Sequence, residues 1–164
     1  MPEITSPVGS DMMKVMKRLV IASIPLLFLA AAQAQDLPNG PGKDTFLKIC
    51  GSCHDAGVVV TMHNGKDDWQ STVDDMKGRG ADGSDDDFKT IVTYLAKYQG
   101  PEVNVNKAAA KDLQTQLEIT DKEAQAIVDY RTANGDFKAY ADLQKVSGLD
   151  MKKLDPLKGR IVFM

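Results

Sequence analysis

The sequence predicts an all-α protein, and three observations carry that prediction. Apolar residues recur at helical spacing: Trp69, Val73 and Met76 fall at i, i+4 and i+7, and Phe88, Ile91, Val92, Leu95 and Tyr98 make a second stripe. Two capping boxes, Ser84 with Asp87 and Thr120 with Glu123, each stand just before such a stripe. No βαβ context surrounds the stretch from Lys43 to Trp69.

The chain opens on a targeting pattern. Lys14, Lys17 and Arg18 precede an apolar run from Leu19 to Ala32, and Ala32-Gln33-Ala34 reads as a cleavage site. A basic flank, a short apolar stretch and small residues describe a secretory signal peptide over residues 1–34. The run is short for a membrane span and contains Pro25. The expectation is a periplasmic protein starting at Gln35, with no stable membrane span after cleavage.

After the signal the chain divides at Pro101-Glu102 into segments 35–101 and 102–164. In the first, Asp44 caps a helix to about Cys53, with Phe46, Leu47 and Ile49 supplying apolar contacts. A second helix covers Asp67 to Lys77, and a third runs from Ser84 through Gln99. The loop K-G-R-G-A-D-G joins them, its glycines permitting tight backbone geometry. In the second segment Asn106 is expected to cap a helix to about Gln116, and Thr120 one to about Thr132 that buries Ala124, Ile127 and Val128. Asn134-Gly135 ends it. A shorter helix follows around Ala141 to Val146. Gly148 then makes a tight turn, and Asp150 caps a last turn holding Met151 and Leu154.

Charge is unevenly spread. Residues 35–101 carry 7 basic and 11 acidic side chains, whereas residues 102–164 carry 10 of each. Neither balance is that of a strong nucleic-acid binder. The acidic first segment favours a basic redox partner, in a salt-sensitive way.

Cys50, Cys53 and His54 stand in the stretch C-G-S-C-H. This is the spacing of covalent c-type haem attachment. Two thiols three residues apart can form thioethers with two vinyl groups of one porphyrin, and the following histidine ligates the iron. A thioredoxin-like pair needs a βαβ context, and a tetrahedral zinc site needs two more ligands. A structural disulfide leaves His54 unexplained.

The segment from Gly42 to Gly100 resembles a compact class I cytochrome c. The likeness rests on the opening helix that leads into C-G-S-C-H, the pattern W-x-x-x-V-x-x-M-x-x-x-G-A from Trp69 to Ala81, and the closing helix with I-V-T-Y-L-A. The resemblance implies one covalent haem c and maps the sixth iron ligand onto Met76, with His63 and Met62 as rivals. It makes Trp69 a packing residue at the porphyrin edge or in the core. The segment from His54 to Met76 is short for that family, and no proline lies between them.

The rest of the chain is similar to the tandem helix-hairpin-helix domain of the ComEA competence family. The matching residues are V-N-V-N-K-A at 103–108, A-Q-A-I-V-D-Y-R at 124–131, N-G-D-F at 134–137 and D-L-Q-K-V-S-G-L at 142–149. Such domains commonly bind DNA non-specifically, using hairpin glycines to bring backbone N–H groups against phosphate. Here the first hairpin reads Glu118-Ile119-Thr120, with no glycine, and the second reads Gly148-Leu149-Asp150.

These readings combine into an expectation of a periplasmic electron-transfer protein. It would be no enzyme by itself, though it could serve as the cytochrome subunit of an oxidoreductase. Its partners would be a periplasmic dehydrogenase or another cytochrome. The helix-hairpin-helix unit would then dock proteins, with DNA the less favoured partner. The alternative is a competence-type DNA-binding protein carrying a haem segment.

Overall fold

The computed structural model describes residues 37–164, and these are almost wholly helical. The predicted signal peptide lies outside the described residues. Helix α1 spans Lys43–Cys50 and stops at Gly51, earlier than the sequence suggested. Its cap is Gly42 rather than Asp44, which sits in the first turn where a carboxylate favours the helix dipole. Phe46 and Ile49 are buried, while Leu47 is 40% exposed. A 3-10 turn, Ala56–Thr61, follows.

Helix α2, Lys66–Gly78, buries Trp69 and Val73 as its spacing predicted. Helix α3, Asp85–Tyr98, starts at the predicted capping box: the Ser84 hydroxyl accepts from Asp87 N–H, and the Asp87 carboxylate accepts from Ser84 N–H. Helix α1 runs antiparallel to α3. Gly40 lies against the Tyr98 ring, Phe46 stacks on Tyr94 with ring centroids 5.7 Å apart, and Ile49 and Phe88 both lie against Gly83.

The second segment begins with strand β1, Val103–Asn104, which pairs in parallel with β2, Ile161–Val162. Two-residue strands leave no alternation to read, so this closure was invisible in the sequence. Helix α4 is Ala110–Leu117, and Asn106 does not cap it. The Asn106 side chain instead clasps Phe137, accepting from its N–H and donating to its carbonyl, both at 2.9 Å. Helix α5, Asp121–Asn134, opens at the predicted Thr120 box. A 3-10 turn, Tyr140–Lys145, replaces the expected helix. Helix α6, Met151–Leu154, is capped by Asp150, and a 3-10 turn, Asp155–Arg160, leads into β2.

The two segments are joined by a buried arginine. Arg160 is 4% exposed and donates to the carbonyls of Lys97 and Pro101. Its charge thus meets the carbonyl-rich end of α3, where a cation is favoured. Burial lowers its pKa. Gly100 makes room for it: a Cβ there would lie 2.8 Å from the guanidinium carbon and 2.4 Å from the Ala96 carbonyl oxygen.

Candidate functional site

The C-G-S-C-H stretch sits at one end of α3. Cys50 ends α1 half-buried, and Cys53 and His54 are exposed. Both cysteines are free thiols. The Ser52 hydroxyl donates to the Ile49 carbonyl at 2.7 Å and fixes the turn between them. Burial, and then the neighbouring Cys53, push the Cys50 thiol pKa up. Leu47 and Val58, which bracket the stretch, are large apolar side chains left 40% and 55% exposed. No group of three or more His, Cys, Asp or Glu among the described residues is arranged to hold a metal ion, so the zinc reading lacks its remaining ligands.

The candidate sixth ligands divide between the two ends of α3, which are about 20 Å apart for a helix of 14 residues. Met76, half-buried, leads into the glycine loop whose Gly83 touches Ile49, next to Cys50. His63 lies at the far end, its Nε2 4.0 Å from Glu102, and its Nδ1 is buried with no hydrogen-bond partner among the described residues. Met62, beside it, packs against the core. Trp69 also belongs to that end: it is fully buried and donates to the Gln99 carbonyl at 3.0 Å.

The two hairpins form a second centre. The turn between α4 and α5 is Glu118-Ile119-Thr120. Glu118 takes the left-handed conformation at φ 52°, the only non-glycine with positive φ among the described residues. That conformation costs a side chain about 1–2 kcal/mol that glycine would not lose. In the second hairpin Gly148 has φ 82°.

Glu123 joins the hairpins. Its side chain is 7% exposed. One carboxylate oxygen accepts from the N–H and hydroxyl of Thr120, at 2.8 and 2.7 Å, and the other accepts from Asp150 N–H at 3.2 Å. Lys153 donates to both oxygens at 3.1 Å. The Thr120 N–H bond is the largest influence on the carboxyl pKa, which falls to about 2. A single ionised side chain thus holds both turns side by side.

Beside the first hairpin lies a cleft of about 220 Å³, lined by Lys97, Tyr98, Glu118, Lys152 and Lys153 among others. Lys97, on α3, is ion-paired with Glu118.

This two-hairpin arrangement agrees with the comparisons to known proteins. The helix-hairpin-helix motif family matches residues 99–162. An uncharacterised Haemophilus influenzae protein is 36% identical over 82 residues, which cover 46% of this chain and 73% of that one. Residues 99–162 are a helix-hairpin-helix domain. ComE operon protein 1 of Bacillus subtilis is 36% identical over 63 residues, covering 38% of this chain and 31% of that protein. The endonuclease/exonuclease/phosphatase family domain-containing protein 1 of Bos taurus is 34% identical over 71 residues, 43% of this chain and 12% of that one. The chain therefore spans under a third of the length of these two relatives. No solved structure matches it.

Two expectations are corrected by these findings. Electron transfer, with its dehydrogenase or cytochrome partners, is not the function to which the homology points: the match lies on residues 99–162 and on ComE operon protein 1. The lower rank of DNA as a partner rests on the replaced hairpin glycines and on the Glu118 carboxylate, and the match to the helix-hairpin-helix motif and to ComE operon protein 1 overturns it; the geometry answers the part about the glycines. Glu118 adopts the left-handed backbone a glycine would have taken, so the turn keeps its shape without the glycine.

Sequence reasoning missed Glu123 as more than a cap, and it missed Lys97 and Arg160. The capping box signalled Glu123, but nothing local signalled its reach to Asp150 and Lys153. Lys97 and Arg160 meet partners 21 and 63 residues away.

Proposed function

We propose that this chain is an exported protein that binds DNA without sequence preference, through the paired hairpins of its helix-hairpin-helix domain, and that it binds rather than catalyses. The observation that carries the reading is the family match over residues 99–162 on a structure whose two hairpins are tied together by one carboxylate. Turns of this kind offer backbone N–H groups to phosphate oxygens, here those that Glu123 does not already engage, and contacts to phosphate carry no sequence information. Lys152 and Lys153 follow the second hairpin directly and supply cations there. No described helix is long and apolar enough to cross a membrane. The similarity to the competence family, together with the predicted signal, supports a periplasmic site of action.

An electrophoretic mobility shift of the chain with duplex DNA at low ionic strength tests this. The expected result is a shift at micromolar protein that random competitor DNA abolishes. No shift at tens of micromolar protein would end the reading.

For the first segment, the proposal is limited to a cofactor. Cys50 and Cys53 would hold one haem c by thioethers and His54 its iron, with Met76 the better placed of the candidate sixth ligands. Two free thiols at this spacing, beside a histidine and flanked by exposed Leu47 and Val58, fit such a group. When bound, the haem supplies a redox-active iron. Cys50, Cys53 and His54 would anchor it to the chain.

A further inference from the structure

We propose that the cleft beside the first hairpin is a further DNA-phosphate site, built by Lys97 of α3 together with Lys152 and Lys153, and that the Glu118 carboxylate fills it until a phosphate displaces it. This rests on the DNA-binding reading and adds to it a residue outside the matched domain, which begins at residue 99.

Three lysines and one carboxylate line the cleft. Lys97 pairs with Glu118, and Lys153 is held by Glu123 behind the hairpin. Lys152 has no ion-pair partner among the described residues. The Lys97 ammonium lies 5.7 Å from the Tyr98 ring centre, and its backbone carbonyl is held by buried Arg160. Its stem therefore springs from a fixed point on the cleft wall.

Glu118 is the second observation. It alone among the described non-glycine residues has positive φ, in a turn where glycine would sit without strain. Strain kept at such a position marks a role for the side chain. That role follows from its chemistry: a carboxylate and a phosphodiester each present one negative charge shared between two acceptor oxygens. Glu118 thus mimics the ligand on Lys97. The Lys97–Glu118 pair is solvent-accessible, with side chains 36% and 55% exposed, so little binding energy is lost when phosphate replaces it.

The experiment measures binding of a short mixed-sequence duplex by fluorescence anisotropy at two salt concentrations, using the full chain. Glu118→Gly and Glu118→Gln should tighten binding, by about three- to tenfold at low salt, since a competing charge is removed. Lys97→Gln should weaken it by a similar factor and make the salt slope shallower by about one, while Lys97→Arg restores it. Lys48→Gln, at the other end of the first segment, should match the wild type. Thermal melts of each variant establish that it is folded, and Glu118→Gln keeps the test valid if the glycine variant does not fold. If wild type binds DNA but Lys97→Gln and both Glu118 variants agree with it within about twofold, the cleft is no phosphate site and the DNA reading stands. Weaker binding by Glu118→Gln overturns the mimicry. If neither wild type nor the Glu118 variants bind, both proposals fall.

Discussion

Replacing Glu123 with glutamine should loosen the hairpins, and it should do so in a pH-dependent way. The carboxylate accepts from four donors: Thr120 N–H and hydroxyl on one oxygen, Asp150 N–H on the other, and the Lys153 ammonium on both. Glutamine keeps one acceptor oxygen and turns an NH₂ donor toward the rest. One hairpin N–H then loses its partner, and the charge assistance from Lys153 goes. The expected loss is about 2–3 kcal/mol at neutral pH. The direction of the pH effect follows from the lowered pKa of about 2 against an ordinary value of 4.5. A depressed carboxyl pKa stabilises the fold above 4.5, and that contribution fades as pH falls toward 2. Linkage over that interval is worth at most about 3 kcal/mol, and water at the Lys153 side reduces it to about 1–2 kcal/mol. Urea unfolding of both proteins from neutral pH downward, followed by circular dichroism, isolates this residue, because every other carboxylate is common to the two. The stability gap should narrow by about 1–2 kcal/mol between pH 4.5 and 2. A gap under about 0.5 kcal/mol at neutral pH, or one that stays constant on acidification, would refute the reasoning.

Two further outcomes are expected. Gly100→Ala should destabilise the chain by about 1–3 kcal/mol in the same urea assay, since the added methyl meets the Arg160 guanidinium and the Ala96 carbonyl; a neutral effect would mean the arginine is not held as described. Chain matured with the bacterial haem-attachment machinery should gain the mass of one haem by intact-mass spectrometry, and Cys50→Ala/Cys53→Ala should not; bare polypeptide mass in both would remove the cofactor proposal.

What was legible in the sequence was what local chemistry writes. The capping boxes at Ser84 and Thr120 fixed where α3 and α5 begin, because side chain and backbone partners lie three residues apart. The stripe from Phe88 to Tyr98 buries as its spacing predicted. Failures came where a distant partner competes. Asn106 resembles a cap by type, but Phe137 takes both of its hydrogen bonds and α4 starts later, at Ala110. The hairpin chemistry was misjudged for a related reason. Residue type argued that a hairpin without glycine no longer brings backbone N–H groups against phosphate, whereas Glu118, with Leu117 and Ile119 buried on either side, keeps the left-handed backbone that glycine favours. Lys97 gave no signal at all, since a lone lysine near the end of a helix is what any solvated helix shows.

The account stands most directly on one titration: affinity of the chain for duplex DNA as salt is raised. Contacts from two hairpins and the lysine cleft to about three phosphates predict log affinity falling linearly with log salt at a slope of about −3. An affinity indifferent to salt, or no measurable affinity at low salt, would contradict a phosphate-binding hairpin pair.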